Sequence, residues 1–415
     1  MLSSSSLEPL GYHREIVEFL QTEERDVWEW FSSRRVRNTR AEAVRLELLK
    51  TSYRLDRDSA PRLHELAGQA AGRLGMDVPV TLYQAQRSEA GLNVSLAFLP
   101  DEAHIVLHGP ISEMLSDAEL LAVLGHELTH LMLLTRWDEQ FLRANQVLLA
   151  MAGDSKAHSA HFATLRLFQL STEIFCDRGS LASSGELDAA VSVLVKLETE
   201  LKEVHAASYL RQADEIFSAG EARTDGITHP ECYIRARSLK LWSEQQPDAE
   251  EEIRRMLEGP ARLRELDLLG QRRVAGLTRR VLDQYLGQPW LRSEAQATHA
   301  RLYFDDYQPP ESAPLDAGLA EDLKTSDDDL KNYYCYVLLD LVTAENSFEE
   351  ESLAAAFVLA EQLDLQKHWE PIVRKELNLR KKQLVKLRDE AREIVSRAQG
   401  IPHASGSLAT DTEVA

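Results

Sequence analysis

The stretch SDAELLAVLGHELTHLMLLT, residues 116–135, decides the fold of this chain and points to its chemistry. Ser116 is followed three residues later by Glu119, which is the arrangement of a capping box at the start of a helix. Leucines then recur at the spacing of one helical face, at Leu120, Leu124, Leu128 and Leu131. The stretch therefore predicts a packed helix that begins directly after Ser116.

Two histidines of that helix, His126 and His130, lie four residues apart within the sequence HELTH. Both imidazoles therefore project from one helical face and can reach a single metal ion, with Glu127 beside them. Zinc binds neutral imidazoles, and a neighbouring carboxylate can take the proton of a water that zinc makes acidic. The alternative is a chance pair of half-buried histidines, but their place on a capped apolar helix favours a zinc hydrolase.

The composition is that of a globular protein of 415 residues, long enough for two or three domains. A net charge of −21 argues against nucleic acid and anionic membranes as partners. The 3 cysteines imply no disulfide framework. The first residues lack a secretory signal, and the longest apolar run is too short and too polar for an integral membrane segment. We therefore expect a soluble cytoplasmic protein.

A catalytic zinc ion needs a third protein ligand. A histidine six residues after His130 is one solution, but Arg136 occupies that position. The other solution is an acid on a later helix, and EIFCD at residues 173–177 supplies it. Glu173 could bind zinc while Asp177, on the same helical face, accepts a hydrogen bond from a ligand histidine. Two further histidines remain as rival ligands, and they are His158 and His161.

The sequence Thr228-His229-Pro230 marks the start of a later helix, because proline suits the first helical turn. A histidine held there could donate a hydrogen bond to the oxyanion of a tetrahedral intermediate. Arg235 follows six residues after His229 and could reach the same neighbourhood. The alternative is an ordinary capped helix with a solvated arginine.

The fold class indicated is mainly α-helical, of the α+β type, with a small antiparallel sheet. Residues 92–98 alternate apolar with small or polar side chains, and residues 104–107 form a second β-prone run, so the two predict a hairpin before the HELTH helix. Residues 13–56 are predicted to be mostly helical. After the HELTH helix the pattern is helical almost throughout, including one long helix at 187–214.

The combination HELTH, EIFCD and THPECYIR resembles the HtpX/CAAX-prenyl-protease-type family of gluzincin zinc metallopeptidases, over roughly residues 40–245. That family has HExxH, then ExxxD, then His-Pro with an arginine six residues after the histidine. The resemblance implies a zincin-like domain with one zinc ion per chain and a protein or peptide substrate. Cys176 stands where the family usually has alanine, and Glu231 where it has a further proline. The transmembrane helices of membrane members are absent from this sequence pattern.

The resemblance also implies a role for each matching residue. His126, His130 and Glu173 would bind zinc. Glu127 would be the general base, and His229 would donate a hydrogen bond to the transition state.

Two further residues and one strand are implied in supporting roles. Asp177 would orient a ligand histidine, and Arg235 would be the structural or site arginine of the family. The strand around Asn93 resembles an edge strand that runs above the zinc and pairs with substrate backbone. Its substrate-binding residues would be Asn93, Val94, Ser95, Leu96 and Ala97.

The chain is predicted to have a peptidase domain and a smaller helical domain after it. The predicted segments are a metallopeptidase domain at 1–302 with a motif core at 40–245 and a helical extension at 246–302, an acidic proline-containing linker or loop at 303–329, a helical bundle at 330–398 and a disordered tail at 399–415. The helical bundle carries an acidic turn around Phe348 and Glu349 and resembles the tellurite-resistance TerB-like domain. The alternative is a generic helical bundle.

These features together predict a zinc-dependent metalloendopeptidase with a role in stress response or protein quality control. A protein partner could bind through the C-terminal helical domain. One alternative is a helical adaptor that keeps zinc only for structure, and another is a latent peptidase that a partner activates. The presence of Glu127 favours an enzyme, because a structural zinc site needs no general base.

Overall fold

The computed structural model describes residues 7–33, 41–86, 91–99, 101–220, 223–324, 326–344 and 350–400. The chain divides into two compact units. The first unit comprises Met1–Gly259 and Asp267–Leu269, and the second comprises Pro260–Leu266 and Gly270–Ala415. Each unit has a hydrophobic core of its own. Among the described residues, no helix is both long enough and apolar enough to cross a membrane.

The first unit combines helices with one small sheet. Its described strands are β1 (Ser52–Leu55), β2 (Val80–Ala85), β3 (Asn93–Leu99) and β4 (Glu102–His108). Its described helices are α1 (Gly11–Thr22), α2 (Arg25–Ser33), α3 (Ala41–Thr51), α4 (Pro61–Arg73), α5 (Ile111–Met114), α6 (Asp117–Thr135), α7 (Gln140–Gly153), α8 (Ser159–Ser184), α9 (Leu187–Thr199), α10 (Ala206–Ala219), α11 (Cys232–Ser243) and α12 (Ala249–Glu258).

From Leu268 onward the described part of the chain is helical. The helices are α13 (Leu268–Leu286), α14 (Glu294–Ala300), α15 (Ala317–Lys324), α16 (Asp328–Thr343), α17 (Glu350–Gln362), α18 (Gln366–Glu376) and α19 (Lys381–Ala398). The predicted fold class, mainly α-helical with a small sheet, is confirmed.

The sheet has the order β1-β2-β4-β3, which places β3 at an edge. The predicted hairpin is present, because β3 pairs antiparallel with β4 from Asn93 opposite His108 to Leu99 opposite Glu102. The sheet is mixed rather than wholly antiparallel, since β4 lies between β3 and β2 and runs parallel to β2. One side of β4 is fully buried in the core at Ala103, Ile105 and Leu107.

Two elements differ from the predicted helices. Ser52–Leu55 is a strand, where the sequence predicted helix, because its backbone pairs antiparallel with β2 and so finds its hydrogen bonds in the sheet. The single helix predicted at 187–214 is instead α9 and α10. Glu200 ends α9 in the left-handed conformation with a φ of 59°, a geometry that a helix cannot continue through.

The helices α6 and α8 pack against each other through two glycines. A Cβ atom at Gly125 would collide with the side chain of Ser183, and one at Gly179 would collide with that of Thr129. Only glycine therefore allows the two backbones to lie this close. This packing brings the middle of α8, which carries EIFCD, beside the HELTH turn of α6.

The division between the units differs from the boundary predicted at 302. The core of the second unit already includes α13, where Val281, Leu282 and Tyr285 are at most 1% exposed. Residues 270–302 thus belong to the second unit and not to the peptidase part. The reason lies in the apolar face of α13, which needs the later helices to cover it.

The segment predicted as an acidic linker at 303–329 is packed over much of its length. It contains the helix α15, and Tyr307, Leu319 and Leu323 are buried in the core of the second unit. The acidic turn of the TerB-like resemblance falls at 345–349, and the predicted tail falls largely at 401–415. Both of these segments lie outside the described residues.

Candidate active site

The helix α6 is anchored at its start and presents the HELTH turn from there. The capping box is formed, with the Ser116 Oγ accepting from the Glu119 backbone N–H and the Glu119 carboxylate accepting from the Ser116 N–H at 2.9 Å. Lys196 of α9 donates to the same carboxylate at 2.9 Å in a buried ion pair. Further along the helix, the Nε2 atoms of His126 and His130 lie 3.2 Å apart.

The carboxylate of Glu173 on α8 completes a three-residue cluster. One of its oxygens lies 3.4 Å from the Nε2 of His126, and the other lies 3.5 Å from the Nε2 of His130. Tetrahedral zinc with nitrogen and oxygen ligands at 2.0–2.1 Å holds those ligand atoms about 3.3 Å apart. The Oε2 of Glu173 is buried and has no hydrogen-bond partner among the described residues. These donor atoms therefore fit a zinc ion.

Asp177 lies behind His126 and fixes the orientation of its ring. The Asp177 carboxylate is 3.1 Å from the His126 Nδ1, so that a proton on Nδ1 is held there and the Nε2 lone pair faces the cluster. Arg235 of α11 donates to both oxygens of Asp177, at 2.6 and 2.8 Å. A second contact joins Arg235 to Glu173 at 3.4 Å. The sequence predicted both supporting residues, Asp177 and Arg235, and the structure brings them together beside His126.

The electrostatics of the cluster favour one positive charge beside the Glu173 carboxylate, whereas burial lowers the pKa of His130 to about 4 and keeps that ring neutral. Burial works against charge on His126, but the hydrogen bond to Asp177 and the contact with the Glu173 carboxylate outweigh it and raise the pKa of His126 to about 10. Burial likewise opposes ionisation of Glu173, yet the contact with His126 and the charge of Arg235 hold its pKa well below the usual range. The position therefore suits a cation, as a metal site requires.

Glu127 is buried beside the cluster, between α6 and the edge strand β3. Burial, together with the charge of Glu173, raises the pKa of Glu127 to about 7. A hydrogen bond from the backbone N–H of Leu96 works in the opposite direction and favours the carboxylate. A carboxylate with this pKa is suited to accept and return a proton near neutral pH.

His229 lies at the open side of the cluster. Its Nε2 is 3.5 Å from an oxygen of Glu173, and its side chain is 60% exposed. The Nδ1 is 2.9 Å from the Thr228 hydroxyl, so the other ring nitrogen is left to face the site. The structure thus brings His229 to the same place as the HELTH and EIFCD residues, which its distance in sequence did not ensure.

The sequence pattern did not single out Cys176 as a candidate ligand. Its sulfur and the ligand nitrogens of His126 and His130 all lie within 4.8 Å of one another. Burial, with the charges of Glu173 and Glu127, raises the pKa of this thiol well above its usual value. A thiol that keeps its proton binds metal poorly, whereas Glu173 is ionised, so the carboxylate is the better third ligand. The signal in the sequence was the spacing of three residues from Glu173, which places Cys176 on nearly the same helical face.

The rival histidines His158 and His161 are not part of the cluster. They lie at the start of α8, where their rings contact each other with centroids 3.9 Å apart. His161 precedes Glu173 by twelve residues, which corresponds to about 18 Å along a helix. The two therefore serve the end of the helix rather than the metal site.

The edge position of β3 leaves half of its backbone groups without a strand partner. In an antiparallel pair, successive residues direct N–H and C=O alternately towards and away from the neighbouring strand. The N–H of Leu96 points towards Glu127 and away from β4, so the backbone N–H and C=O groups of Val94 and Phe98 also point away from β4. The N–H and C=O groups of Ser95 and Ala97 point towards β4 by the same alternation. The outward groups lie on the side of the strand where Glu127 stands.

A family model matches the part of the chain that carries the cluster. Residues 58–243 match Peptidase family M48. This part of the chain is similar to that family, as the resemblance of the HELTH, EIFCD and THPECYIR motifs implied.

A curated relative supports the same class. The chain is 30% identical over 218 residues to the Plastoglobule-localized metallopeptidase 48, chloroplastic, of Arabidopsis thaliana. The similarity covers 48% of this chain and 61% of the relative, so the chain spans less than two thirds of that protein. No solved structure matches the chain.

Proposed function

We propose that the first unit is a zinc-dependent metalloendopeptidase that hydrolyses peptide bonds of protein or peptide substrates. The observation that carries the proposal is the convergence of His126, His130 and Glu173, whose ligand atoms lie 3.2 to 3.5 Å apart. One zinc ion per chain would be held by these residues. When bound, it supplies Lewis acidity that lowers the pKa of water and polarises a carbonyl.

The substrate is proposed to bind as an added strand on β3. A peptide in extended conformation can pair with the outward N–H and C=O groups of Val94, Leu96 and Phe98. Such pairing recognises backbone rather than particular side chains, which suits cleavage within many sequences. A peptide bound in this way would bring its scissile bond close to Glu127 of α6, because the N–H of Leu96 points towards the Glu127 carboxylate.

Glu127 acts as the general base and then as the general acid. Its carboxylate takes a proton from the attacking water and returns it to the amine that leaves. Burial raises the pKa of Glu127 towards about 7, which makes it easier for the carboxylate to take up a proton and return it near neutral pH. The N–H of Leu96 helps to orient the carboxylate while the site is free of substrate.

His229 stabilises the transition state. The exposed Nε2 faces the open side of the cluster and can donate to the oxyanion that forms when the carbonyl is attacked. Asp177 and Arg235 do not contact the substrate in this scheme. They hold His126 and Glu173 in place through the paired contacts described above.

The activity, substrates and partners of the whole protein are part of the proposal, because the similarity to the metallopeptidase of Arabidopsis thaliana spans only 61% of that relative. Three free cysteines are present, and they support a reducing compartment such as the cytoplasm. A role in protein quality control, with a partner that binds the second unit, is consistent with a backbone-directed peptidase.

Metal content of the Glu173→Ala protein tests the site. We expect the purified protein to hold about one zinc per chain, and Glu173→Ala to lose most of it because two histidines alone leave the ion short of a ligand. His161→Ala is the matched control, on the same helix but outside the cluster, and should keep its zinc. Full zinc occupancy in Glu173→Ala would show that the ligand set is wrong.

A further inference from the structure

The loop between α10 and α11 carries His229 and is held mainly through its backbone. Thr224 is 2% exposed, and its N–H donates to the carbonyl of Met256 at 2.9 Å. The N–H of Gly226 donates to the Thr224 hydroxyl at 3.1 Å. A Cβ atom at Gly226 would collide with the carbonyl oxygen of His229, so the loop folds back tightly on itself. The position of His229 therefore follows that of residues 224–226.

Arg166 of α8 joins this loop to the helix that bears Glu173. Its Nε donates to the carbonyl of Gly226 at 2.7 Å, and its Nη2 donates to the carbonyl of Thr224 at 2.8 Å. Arg166 precedes Glu173 by seven residues, which is two helical turns and about 10 Å along the same face. One rigid helix thus holds a proposed metal ligand and also grips the loop of His229.

The ring of His229 has little else to hold it. Its side chain is 60% exposed, and its polar contacts among the described residues are the Thr228 hydroxyl at 2.9 Å and the Glu173 carboxylate at 3.5 Å. A side chain this exposed depends on its backbone for its place. The planar fork of an arginine fixes two carbonyls at once, whereas a lysine presents a single point of charge.

We propose that Arg166 is a positioning residue that acts through His229. By holding the carbonyls of Thr224 and Gly226, it sets the height of the loop over the cluster, and so the distance from the His229 Nε2 to the reacting carbonyl. This inference rests on the proposed peptidase function. It assigns to Arg166 no contact with metal or substrate.

A double-mutant cycle tests the proposal by steady-state kinetics. Arg166→Lys should lower kcat between about tenfold and a hundredfold with KM nearly unchanged, because misplacement of a transition-state donor affects the chemical step. In the His229→Phe background the same change should lower kcat by less than about twofold, since the residue through which it acts is gone. Equal losses in both backgrounds would overturn the proposal, as would an unchanged kcat in Arg166→Lys alone.

The matched control is Arg73→Lys. Arg73 also donates to two carbonyls, those of Ser183 and Ser184 at the other end of α8, and within the described part of the chain it makes no hydrogen bond to the loop of His229. It should leave kcat unchanged. In Arg166→Ala, guanidinium at millimolar concentration should restore part of the lost kcat by occupying the same carbonyls. Suppose that guanidinium does not restore kcat and that Arg73→Lys lowers kcat as much as Arg166→Lys does. The substitutions then act on α8 in general, and the proposed role of Arg166 is wrong.

A second readout separates this proposal from the peptidase function itself. In protein labelled at the histidine Cε1, the ring signal of His229 is identified by its loss in His229→Phe. Arg166→Lys should shift or broaden that signal and leave those of His126 and His130 in place, whether or not the protein cleaves a test peptide. An unchanged His229 signal in Arg166→Lys would refute the positioning role of Arg166 even if hydrolysis is observed. A wild-type protein without hydrolysis, but with the shifted signal, would refute only the proposed function.

Discussion

At the scale of single residues, Glu127 occupies the decisive position, buried between a helix and an edge strand. Its surroundings act on the carboxylate in opposite directions. Burial and the charge of Glu173 favour the protonated form, whereas the charge of His126 and the backbone N–H of Leu96 favour the ionised form. The balance gives a pKa of about 7, well above the value of an exposed glutamate.

This balance predicts the pH dependence of hydrolysis. A general base must be ionised, so kcat/KM should rise with pH through the pKa of Glu127, which burial raises towards about 7 and the charge of bound zinc lowers. The acid limb should therefore lie between the pKa of an ordinary glutamate, about 4.3, and about 7. Zinc content measured at each pH is the control for loss of metal from the histidines. An acid limb above about pH 7, or one below about pH 4 with zinc retained, would mean that the environment of Glu127 is wrong.

The sequence named the residues that meet in the cluster but not all of those that hold them. Glu173, Asp177 and His229 could be named because short motifs carry chemistry at fixed spacing. Arg166 and the N–H of Leu96 could not, because they act through backbone carbonyls and amides, which leave no trace in side-chain patterns. The partners of Arg166 are the carbonyls of Thr224 and Gly226, which lie 58 and 60 residues away in the sequence.

At the scale of elements, the site depends on how closely α6 and α8 approach. The capping box and the leucine spacing predicted α6 from local sequence alone. The parallel pairing of β2 with β4 could not be predicted, because it depends on where β3 folds back in three dimensions. The close contact at Gly125 and Gly179 could not be predicted from the sequence either, because a glycine inside a helix by itself indicates only a weak helix.

Gly179→Ala should therefore disturb the site from within. The added methyl collides with Thr129, on the turn between the two histidines of α6. Overpacking of this kind costs about 1–3 kcal/mol, and we expect a lower melting temperature and weaker zinc binding. Gly72→Ala is the control, because nothing lies within 4 Å of a Cβ there. It should be neutral or stabilising by up to about 1 kcal/mol, as expected for alanine in a helix. Equal melting temperatures for both variants would contradict the close contact.

At the scale of the whole molecule, the sequence showed the apolar periodicity of the second unit. It did not show that most of α13 belongs to that unit. The acidic and proline-containing residues 303–329 suggested a linker, because composition is a local property. Tyr307 within that segment is 1% exposed, with its hydroxyl 2.9 Å from Asp283 of α13. Composition could not show that contact, so the boundary was placed at residue 302 instead of 269, which is 33 residues too late.

The corrected boundary predicts how truncated chains behave. A chain that ends at Leu269 should fold and bind zinc, because it keeps the whole first core. A chain that ends at Tyr303 should aggregate or be degraded, since it exposes the buried face of α13 at Val281, Leu282 and Tyr285. Circular dichroism, gel filtration and zinc content of the two chains give the answer. Equal stability of both, or loss of zinc only from the shorter chain, would contradict this division.

The most direct test of the central claim is zinc content and peptide hydrolysis measured side by side in the wild-type and Glu127→Gln proteins. Both should hold about one zinc per chain and melt alike, because Glu127 is not a ligand. Hydrolysis of casein by the wild type should be blocked by a zinc chelator, and Glu127→Gln should be slower by at least about a hundredfold, the scale of general acid–base catalysis. A Glu127→Gln protein that keeps zinc and cleaves at the wild-type rate would contradict the account.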